Sequence, residues 1–159
     1  MVILLMGVAG SGKTTIGKML AARLGWPFHD ADDLHSEANR AKMHRGIPLT
    51  DDDRRPWLEA VRRLIAQHVA PEHNAVIACS ALKQAYRALL VTDPAVKLVY
   101  LKGSYETIAG RLSRRRGHFF NAALLDSQFA ALEEPRHAIV EDIDRDPAAI
   151  VADIISRCT

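Results

Sequence analysis

A glycine-rich segment near the start of the chain constrains its fold most strongly. Residues Gly7–Thr14 read Gly-Val-Ala-Gly-Ser-Gly-Lys-Thr and fit the pattern G-x-x-x-x-G-K-[S/T]. The apolar run Val2–Met6 before it predicts a buried strand, and the apolar spacing of Thr14–Leu24, with Gly25 at its end, predicts a helix. Because glycines let such a loop turn successive N–H groups toward one phosphate, the segment predicts a phosphate-binding strand–loop–helix unit.

The individual residues of this loop have predicted roles in holding ATP and Mg²⁺. The Lys13 ammonium reaches the β- and γ-phosphates, and the Thr14 hydroxyl binds the metal. A glycine-rich turn without a ligand is the alternative, and the strand and helix on either side disfavour it. The predicted ATP contacts in this loop are Gly7, Val8, Ala9, Gly10, Ser11, Gly12, Lys13, Thr14 and Thr15.

Short apolar runs alternate with helical patterns along the rest of the chain. Further strands are predicted at Pro27–His29, Ala75–Cys79, Val96–Leu101 and Ala138–Val140. Helices are predicted after Thr50 or Asp51–Asp53, over Ala81–Leu90, after Ser104 and from Asp146-Pro147. This alternation predicts one α/β domain over residues 1–159, a three-layer sandwich whose five-stranded parallel sheet carries helices on both faces.

Composition limits the classes of partner and compartment. The 159-residue chain has a net charge of only +2, which gives no indication of a nucleic-acid partner. Its early apolar run is too short to cross a membrane and lacks the features of a signal peptide, so no membrane partner is expected. Cys79 and Cys158 lie far apart in no metal-binding or redox spacing, which favours a reducing compartment and a cytoplasmic location.

Two aspartates follow the predicted second strand, where the ends of parallel strands face one crevice. Asp30 and Asp32 therefore lie beside the predicted phosphate loop, and an extended chain would turn both side chains to one side. Asp30 is expected to hold Mg²⁺ and Asp32 to orient the acceptor hydroxyl and take its proton late in the reaction. Capping of the next helix is the alternative role for these acids.

The motifs favour a small-molecule or nucleotide kinase. The N-K-x-D and D-x-x-G motifs of GTPases are missing from the sequence, and the chain is short for a motor or helicase. A non-catalytic nucleotide-binding module is the alternative, but such a module would be expected to lose Asp30 and Asp32.

Further motifs follow the phosphate loop along nearly the whole chain. They are Asp30–His35, Lys42-Met43, Gly46–Leu49, Asp51–Leu58, Cys79–Lys83, Tyr86-Arg87, Tyr100–Gly103, Gly117–Phe120, Ser127–Phe129 and Leu132–Pro135. In these motifs the chain resembles the thermoresistant gluconokinase family of shikimate-kinase-like P-loop kinases. The resemblance implies ATP-dependent conversion of D-gluconate to 6-phosphogluconate, a strand order of 2-3-1-4-5, a mobile lid and a homodimer. Asp33 departs from the family pattern, and another kinase of this fold, such as a shikimate kinase, is the alternative.

The resemblance also implies a set of substrate and lid residues. Gluconate carries one carboxylate and five hydroxyls, so its site needs cations and several hydrogen-bonding groups. The substrate region is expected at about 32–58 and the lid at about 111–128, with Arg111 on the nucleotide and Arg115 over the transferring phosphate. Salt bridges, a solvated helix face and a helix-end cluster are the alternative roles for these cations. The expected substrate contacts are Asp32, His35, Arg54, Ser80, Lys83, Arg87 and His118.

Overall fold

The computed structural model describes residues 1–70, 73–115 and 121–159, in which strands alternate with helices. The strands are β1 (Val2–Met6), β2 (Phe28–Asp30), β3 (Ala75–Ala78), β4 (Val96–Lys102) and β5 (Ile139–Asp142). The helices are α1 (Lys13–Leu24), α2 (Glu37–His44), α3 (Asp51–Val69), α4 (Gln84–Leu90), α5 (Tyr105–Arg114), α6 (Ala122–Ala131) and α7 (Pro147–Cys158). A short 3₁₀ helix, Ala31–Leu34, follows β2 directly.

The five strands form one parallel sheet in the order β2-β3-β1-β4-β5, which confirms the predicted order. β1 lies at the centre, where Leu4 pairs in register with Ile77 of β3 and Leu98 of β4. Since all strands run the same way, their carboxyl ends share one edge of the sheet. The loops after β1, β2 and β3 therefore converge, and ligands bind at this kind of edge in open α/β sheets.

Both faces of the sheet are buried. Leu4 and Met6 belong to a cluster with Trp57 of α3, whereas Leu5 belongs to a second cluster with Leu20 of α1 on the other face. Successive residues of β1 thus contribute to opposite cores, as the period of a strand dictates. This burial explains why β1 and β3 read as continuous apolar runs.

Several predicted helix ends are confirmed. Thr50 caps α3 in a capping box, in which its hydroxyl accepts from Asp53 N at 3.1 Å and the Asp53 carboxylate accepts from Thr50 N at 3.0 Å. Ser104 caps α5 by accepting from Thr107 N. Gly25 ends α1 with φ 69°, a left-handed conformation that glycine adopts readily.

Several elements differ from the sequence-based expectations. α4 begins at Gln84 instead of Ala81, because Ala81 has φ 44° and cannot start a right-handed helix. Asp32 lies in the 3₁₀ helix and not on extended chain. The expected substrate region contains α2 and the expected lid contains most of α6, two helices that were not predicted. No helix in the described parts of the chain is both long and apolar enough to cross a membrane.

Candidate active site

The phosphate loop between β1 and α1 has the shape predicted for binding a phosphate. Gly12 immediately precedes α1 with φ 95°, and Gly10 has φ 80°, so both use conformations that disfavour larger residues. Lys13 Nζ donates to Gly7 O at 2.9 Å and Val8 O at 3.0 Å. The ammonium thus spans the mouth of the loop, where it can exchange these carbonyls for phosphate oxygens. Burial lowers the pKa of Lys13, and the nearby aspartates partly oppose this shift.

A hydroxyl and a carboxylate meet beside this loop. Thr14 Oγ1 donates to Asp30 Oδ2 at 3.2 Å, while Asp30 Oδ1 accepts from Asp32 N at 3.0 Å. Asp30 therefore caps the 3₁₀ helix, the alternative role for these acids, and also contacts the Thr14 hydroxyl, with which it was expected to hold Mg²⁺. Hard oxygen donors of this kind suit Mg²⁺, which commonly takes one or two protein ligands and completes its shell with water and phosphate. These residues fit a bound Mg²⁺ nucleotide.

A cavity of about 130 Å³ opens next to Lys13, between the loop, the 3₁₀ helix, α3 and α6. Asp32 lines this acceptor cavity at its phosphate-loop side. The Asp32 side chain is open to the cleft, but protein encloses it enough that desolvation raises its pKa. The negative charge of Asp30 raises this pKa further, and Lys13 opposes both effects. The polar residues lining the acceptor cavity are Lys13, Asp32, His35, Arg54, Ser80, Ser127 and Gln128.

His35 lines the same cavity as a neutral hydrogen-bonding group. It is 8% exposed, and its ring stacks on Trp57 with the centroids 4.4 Å apart. Burial, together with the positive charges of Arg54 and Arg40, lowers the pKa of His35 to about 4. Asn39 Nδ2 lies 3.4 Å from His35 Nδ1, which assigns the acceptor role to Nδ1 and the proton to Nε2. A neutral imidazole of this tautomer can donate to a substrate hydroxyl.

Arg54 reaches the acceptor cavity from the first turns of α3, at the edge of a polar network. Its Nη1 donates to the Tyr86 hydroxyl at 3.2 Å, and that hydroxyl donates to the Asp51 carboxylate. Lys83 Nζ pairs with the same carboxylate at 3.1 Å. Arg54 lines the acceptor cavity, whereas Lys83 does not.

Arg87 is placed elsewhere, although it was expected among the substrate contacts. Its side chain is buried, and its guanidinium donates to Ala81 O at 2.8 Å, Leu82 O at 2.9 Å and Glu133 O at 2.7 Å. It also donates to Gln84 Oε1 at 3.2 Å. The fork of donors is thus occupied by the β3–α4 loop and the segment after α6, and Arg87 does not line the acceptor cavity.

A second cavity, of about 260 Å³, lies on the other side of the phosphate loop. It contains Thr15 and Arg111, as expected for nucleotide contacts, and also Arg115, which was expected over the transferring phosphate. Arg111 Nη2 donates to Ile143 O at 2.6 Å. Sequence reasoning missed Arg145 and Pro147, which line it from the β5–α7 connection. The helix-start signal Asp146-Pro147 located this connection, but only the fold shows that it faces the phosphate loop.

Arg145 is held in this nucleotide-side cavity by a buried acid. Its Nη1 lies 2.8 Å from Glu141 Oε2, and Glu141 is 1% exposed. Desolvation and the neighbouring Asp153 carboxylate raise the pKa of Glu141 to about 7. The positive charges of Arg145 and Arg157 act in the opposite direction and limit this rise. His118, expected to contact the substrate, lies outside the described residues.

Comparison with known proteins agrees with this geometry. The shikimate kinase family model matches residues 9–158. The thermosensitive gluconokinase of Escherichia coli (strain K12) is 46% identical, over 98% of this chain and 83% of that protein. The probable gluconokinase of Mus musculus is 47% identical over 84% of this chain and 83% of its own length.

Solved structures give the same result at the level of the fold. The crystal structure of a gluconokinase from Sinorhizobium meliloti 1021 superposes with a TM-score of 0.86 at 40% identity, covering 99% of this chain and 90% of that one. The shikimate kinase of Aquifex aeolicus reaches 0.62 at 20% identity, covering 99% of this chain and 95% of that one, and so shares the fold. Sequence identity above 40% to gluconokinases over most of the chain is the more specific of these likenesses. The chain belongs to the gluconokinase family of shikimate-kinase-like P-loop kinases.

Proposed function

We propose that this protein transfers the γ-phosphoryl group of ATP to the 6-hydroxyl of D-gluconate. The observation that carries the proposal is the acceptor cavity, in which Asp32 and Lys13 lie beside the phosphate loop and Arg54 also faces the lumen. A proton acceptor near the phosphate and a cation for a carboxylate are the two groups that a sugar-acid kinase requires. The gluconokinase names of the relatives support the choice of substrate.

The protein's contribution to transfer is positioning and charge stabilisation, as is general for kinases. Mg²⁺, held through Thr14 and Asp30, would neutralise charge on the β- and γ-phosphates. Lys13 leaves its two carbonyl partners and binds the phosphoryl oxygens. A bond forms between the gluconate 6-oxygen and the γ-phosphorus, the bond from that phosphorus to the ADP oxygen breaks, and the hydroxyl proton passes to Asp32.

Asp32 suits this late proton transfer. An aspartate of ordinary pKa cannot deprotonate an alcohol in advance, but a loose transition state needs only orientation followed by late acceptance. Its raised pKa makes the carboxylate a stronger base than a fully solvated aspartate. The positive charge of Lys13 opposes this rise in the pKa of Asp32 and so favours the ionised form.

The remaining cavity residues orient the sugar acid. Arg54 binds the gluconate carboxylate, because its planar fork matches two carboxylate oxygens. Ser80 and the neutral His35 hydrogen-bond the chain hydroxyls. Lys83, which pairs with Asp51 outside the cavity lining, contributes through its charge. Residues of about 32–58, which supply most of this surface, form the substrate-binding region.

A lid and a dimer complete the proposal. Residues of about 111–128 act as the lid, with Arg111 on the nucleotide, Arg115 on the transferring phosphoryl group and His118 on the substrate. The resemblance to gluconokinases supports a homodimer and a cytoplasmic location, and light scattering of the purified protein tests the first of these.

An ADP-release assay across sugar acids, shikimate and nucleoside monophosphates tests the substrate. We expect D-gluconate to give the highest kcat/KM, with 6-phosphogluconate as the product identified by mass spectrometry. Shikimate is included because the shikimate kinase family model matches most of the chain. ADP release with shikimate but not with gluconate would overturn the proposed substrate and leave the kinase class intact.

A further inference from the structure

Gln128 of α6 touches the phosphate loop directly. Ala9 N donates to Gln128 Oε1 at 3.1 Å, across 119 residues of sequence. The same side chain lines the acceptor cavity together with Leu124 and Ser127. α6 is therefore attached to the loop at the point where the loop borders the acceptor.

The hydrogen bond to Ala9 fixes which way the Gln128 amide faces. A backbone N–H can only donate, so the oxygen of the amide makes the contact with Ala9 and the NH₂ group takes no part in it. Within residues 1–70, 73–115 and 121–159, Nε2 has no hydrogen-bond acceptor among the protein's own groups. Two N–H donors are thus left for a ligand in the acceptor cavity.

The neighbours of Gln128 on α6 offer nothing equivalent. Ser127 Oγ donates to Leu124 O at 2.7 Å within the helix, and Leu124 is apolar. On the loop side, Lys13 Nζ contacts Val8 O, one residue from Ala9. The Gln128 amide and the Lys13 ammonium therefore contact adjacent residues of the phosphate loop, and both side chains line the acceptor cavity.

We propose that Gln128 is a further catalytic residue, which donates through Nε2 to an oxygen of the phosphoryl group during transfer. Its oxygen, bound to Ala9, holds the amide in place, so that no reorganisation is needed when charge develops. Gln128 thus complements Lys13 with a neutral donor. This inference rests on the proposed phosphoryl transfer to gluconate. It adds a role in that transfer for Gln128, a residue of α6 that contacts the phosphate loop.

Two variants separate the donor from the attachment to Ala9. Gln128→Glu keeps an oxygen for Ala9 N and removes the donors, whereas Gln128→Met removes both at similar size. We expect both to lower kcat about 10²-fold or more, the usual cost of losing one preorganised donor, with KM for gluconate changing only a few-fold. Gln67→Glu, at an exposed position of α3, is the matched control for added charge and should behave as wild type.

Binding of a transition-state mimic provides a readout independent of turnover. ADP with aluminium fluoride and gluconate should bind both Gln128 variants about 100-fold more weakly than wild type, while ADP alone should bind equally. A kcat loss in Gln128→Met with normal activity in Gln128→Glu would show that only the attachment to Ala9 matters. A loss in Gln128→Glu alone would indicate charge repulsion, and wild-type behaviour of both would equally overturn the proposal.

Failure of the proposed substrate is distinguishable from failure of this inference. If wild-type protein does not phosphorylate gluconate, the proposed function fails. The variants are then compared on whichever acceptor of the panel wild type phosphorylates, or on its slow hydrolysis of ATP, with the same expected losses.

Discussion

Thr14 and Asp30 are joined by a hydrogen bond of 3.2 Å that links the first turn of α1 to the end of β2. The bond places a hydroxyl and a carboxylate side by side at the edge of the phosphate loop. Because Asp30 also caps the 3₁₀ helix that carries Asp32, one carboxylate connects the proposed Mg²⁺ ligand Thr14 to the proposed proton acceptor Asp32.

Asp30→Asn should therefore weaken Mg²⁺ binding without disrupting the fold. Asparagine caps helices as well as aspartate does, so the bond to Asp32 N can persist. Loss of the charge should raise the Mg²⁺ concentration for half-maximal activity about 10- to 100-fold. The measurement is a Mg²⁺ titration of the initial rate. Asp33→Asn, which removes the same charge from an exposed neighbour, is the control, and equal Mg²⁺ curves for both variants would contradict the metal role.

Asp32→Asn should lower kcat by about 10²- to 10⁴-fold, the range for loss of a general base, while ATP still binds. The pH profile supplies an independent check. Because the reactive form is the carboxylate and desolvation raises its pKa, wild-type kcat should fall with acidity at a higher pH than an ordinary aspartate would give. In Asp32→Asn this fall of kcat at low pH should be lost, because the group that titrates is absent. If Asp32→Asn keeps both high activity and the fall of kcat at low pH, then Asp30 or a water accepts the proton instead.

The fold was predictable because its signals are local. The continuous apolar run Val2–Met6, the loop after it and the cap at Thr50 each follow from a few adjacent residues, and parallel strands need alternating helices. The start of α4 was not predictable, since the left-handed φ of Ala81 is imposed by its tertiary surroundings.

The site was predictable only where a motif specifies a role. Lys13, Thr14, Asp30 and Asp32 lie where the strand ends place them. Side chains from distant segments follow no local rule: Gln128 reaches the loop across 119 residues, and Arg145 lines the nucleotide-side cavity because β5 is the edge strand beside β4.

Arg54 and Lys83 should differ in their effects on gluconate binding. Arg54→Ala removes a cation inside the cavity and should raise KM for gluconate about 10- to 100-fold, the cost of losing charge-assisted hydrogen bonds. Lys83→Ala removes an exposed partner of Asp51 and should change KM only a few-fold. The two KM values are compared with those for the alditol that lacks the carboxylate. Equal losses with both substrates would contradict a carboxylate contact at Arg54.

His35 should make the stability of the protein depend on pH. Its pKa is about 4 in the folded state against the ordinary 6.5, so the unfolded chain binds the proton first as pH falls. Stability is fully present above about pH 6.5 and is lost between about 6.5 and 4, by up to about 3 kcal/mol. His35→Phe keeps a ring on Trp57 and should flatten this part of the curve. Urea unfolding from pH 7 to 4 measures it, and identical slopes for both proteins would refute the assignment.

Arg87→Ala should destabilise the fold rather than weaken substrate binding. Truncation removes the Arg87 donor from the carbonyls of Ala81 and Glu133, and leaves Leu82 O with the Glu133 N–H alone, which should cost about 2–4 kcal/mol. Arg87→Lys keeps the charge but not the fork and should fall between alanine and wild type. Arg63→Ala, which removes an exposed ion pair with Glu59, is the matched control and should cost almost nothing. Urea unfolding gives the free energies, and KM for gluconate is measured on the same variants below their unfolding midpoints. A large rise in KM for Arg87→Ala with unchanged stability would contradict the structural role. It would mean that Arg87 leaves the β3–α4 loop and binds the gluconate carboxylate.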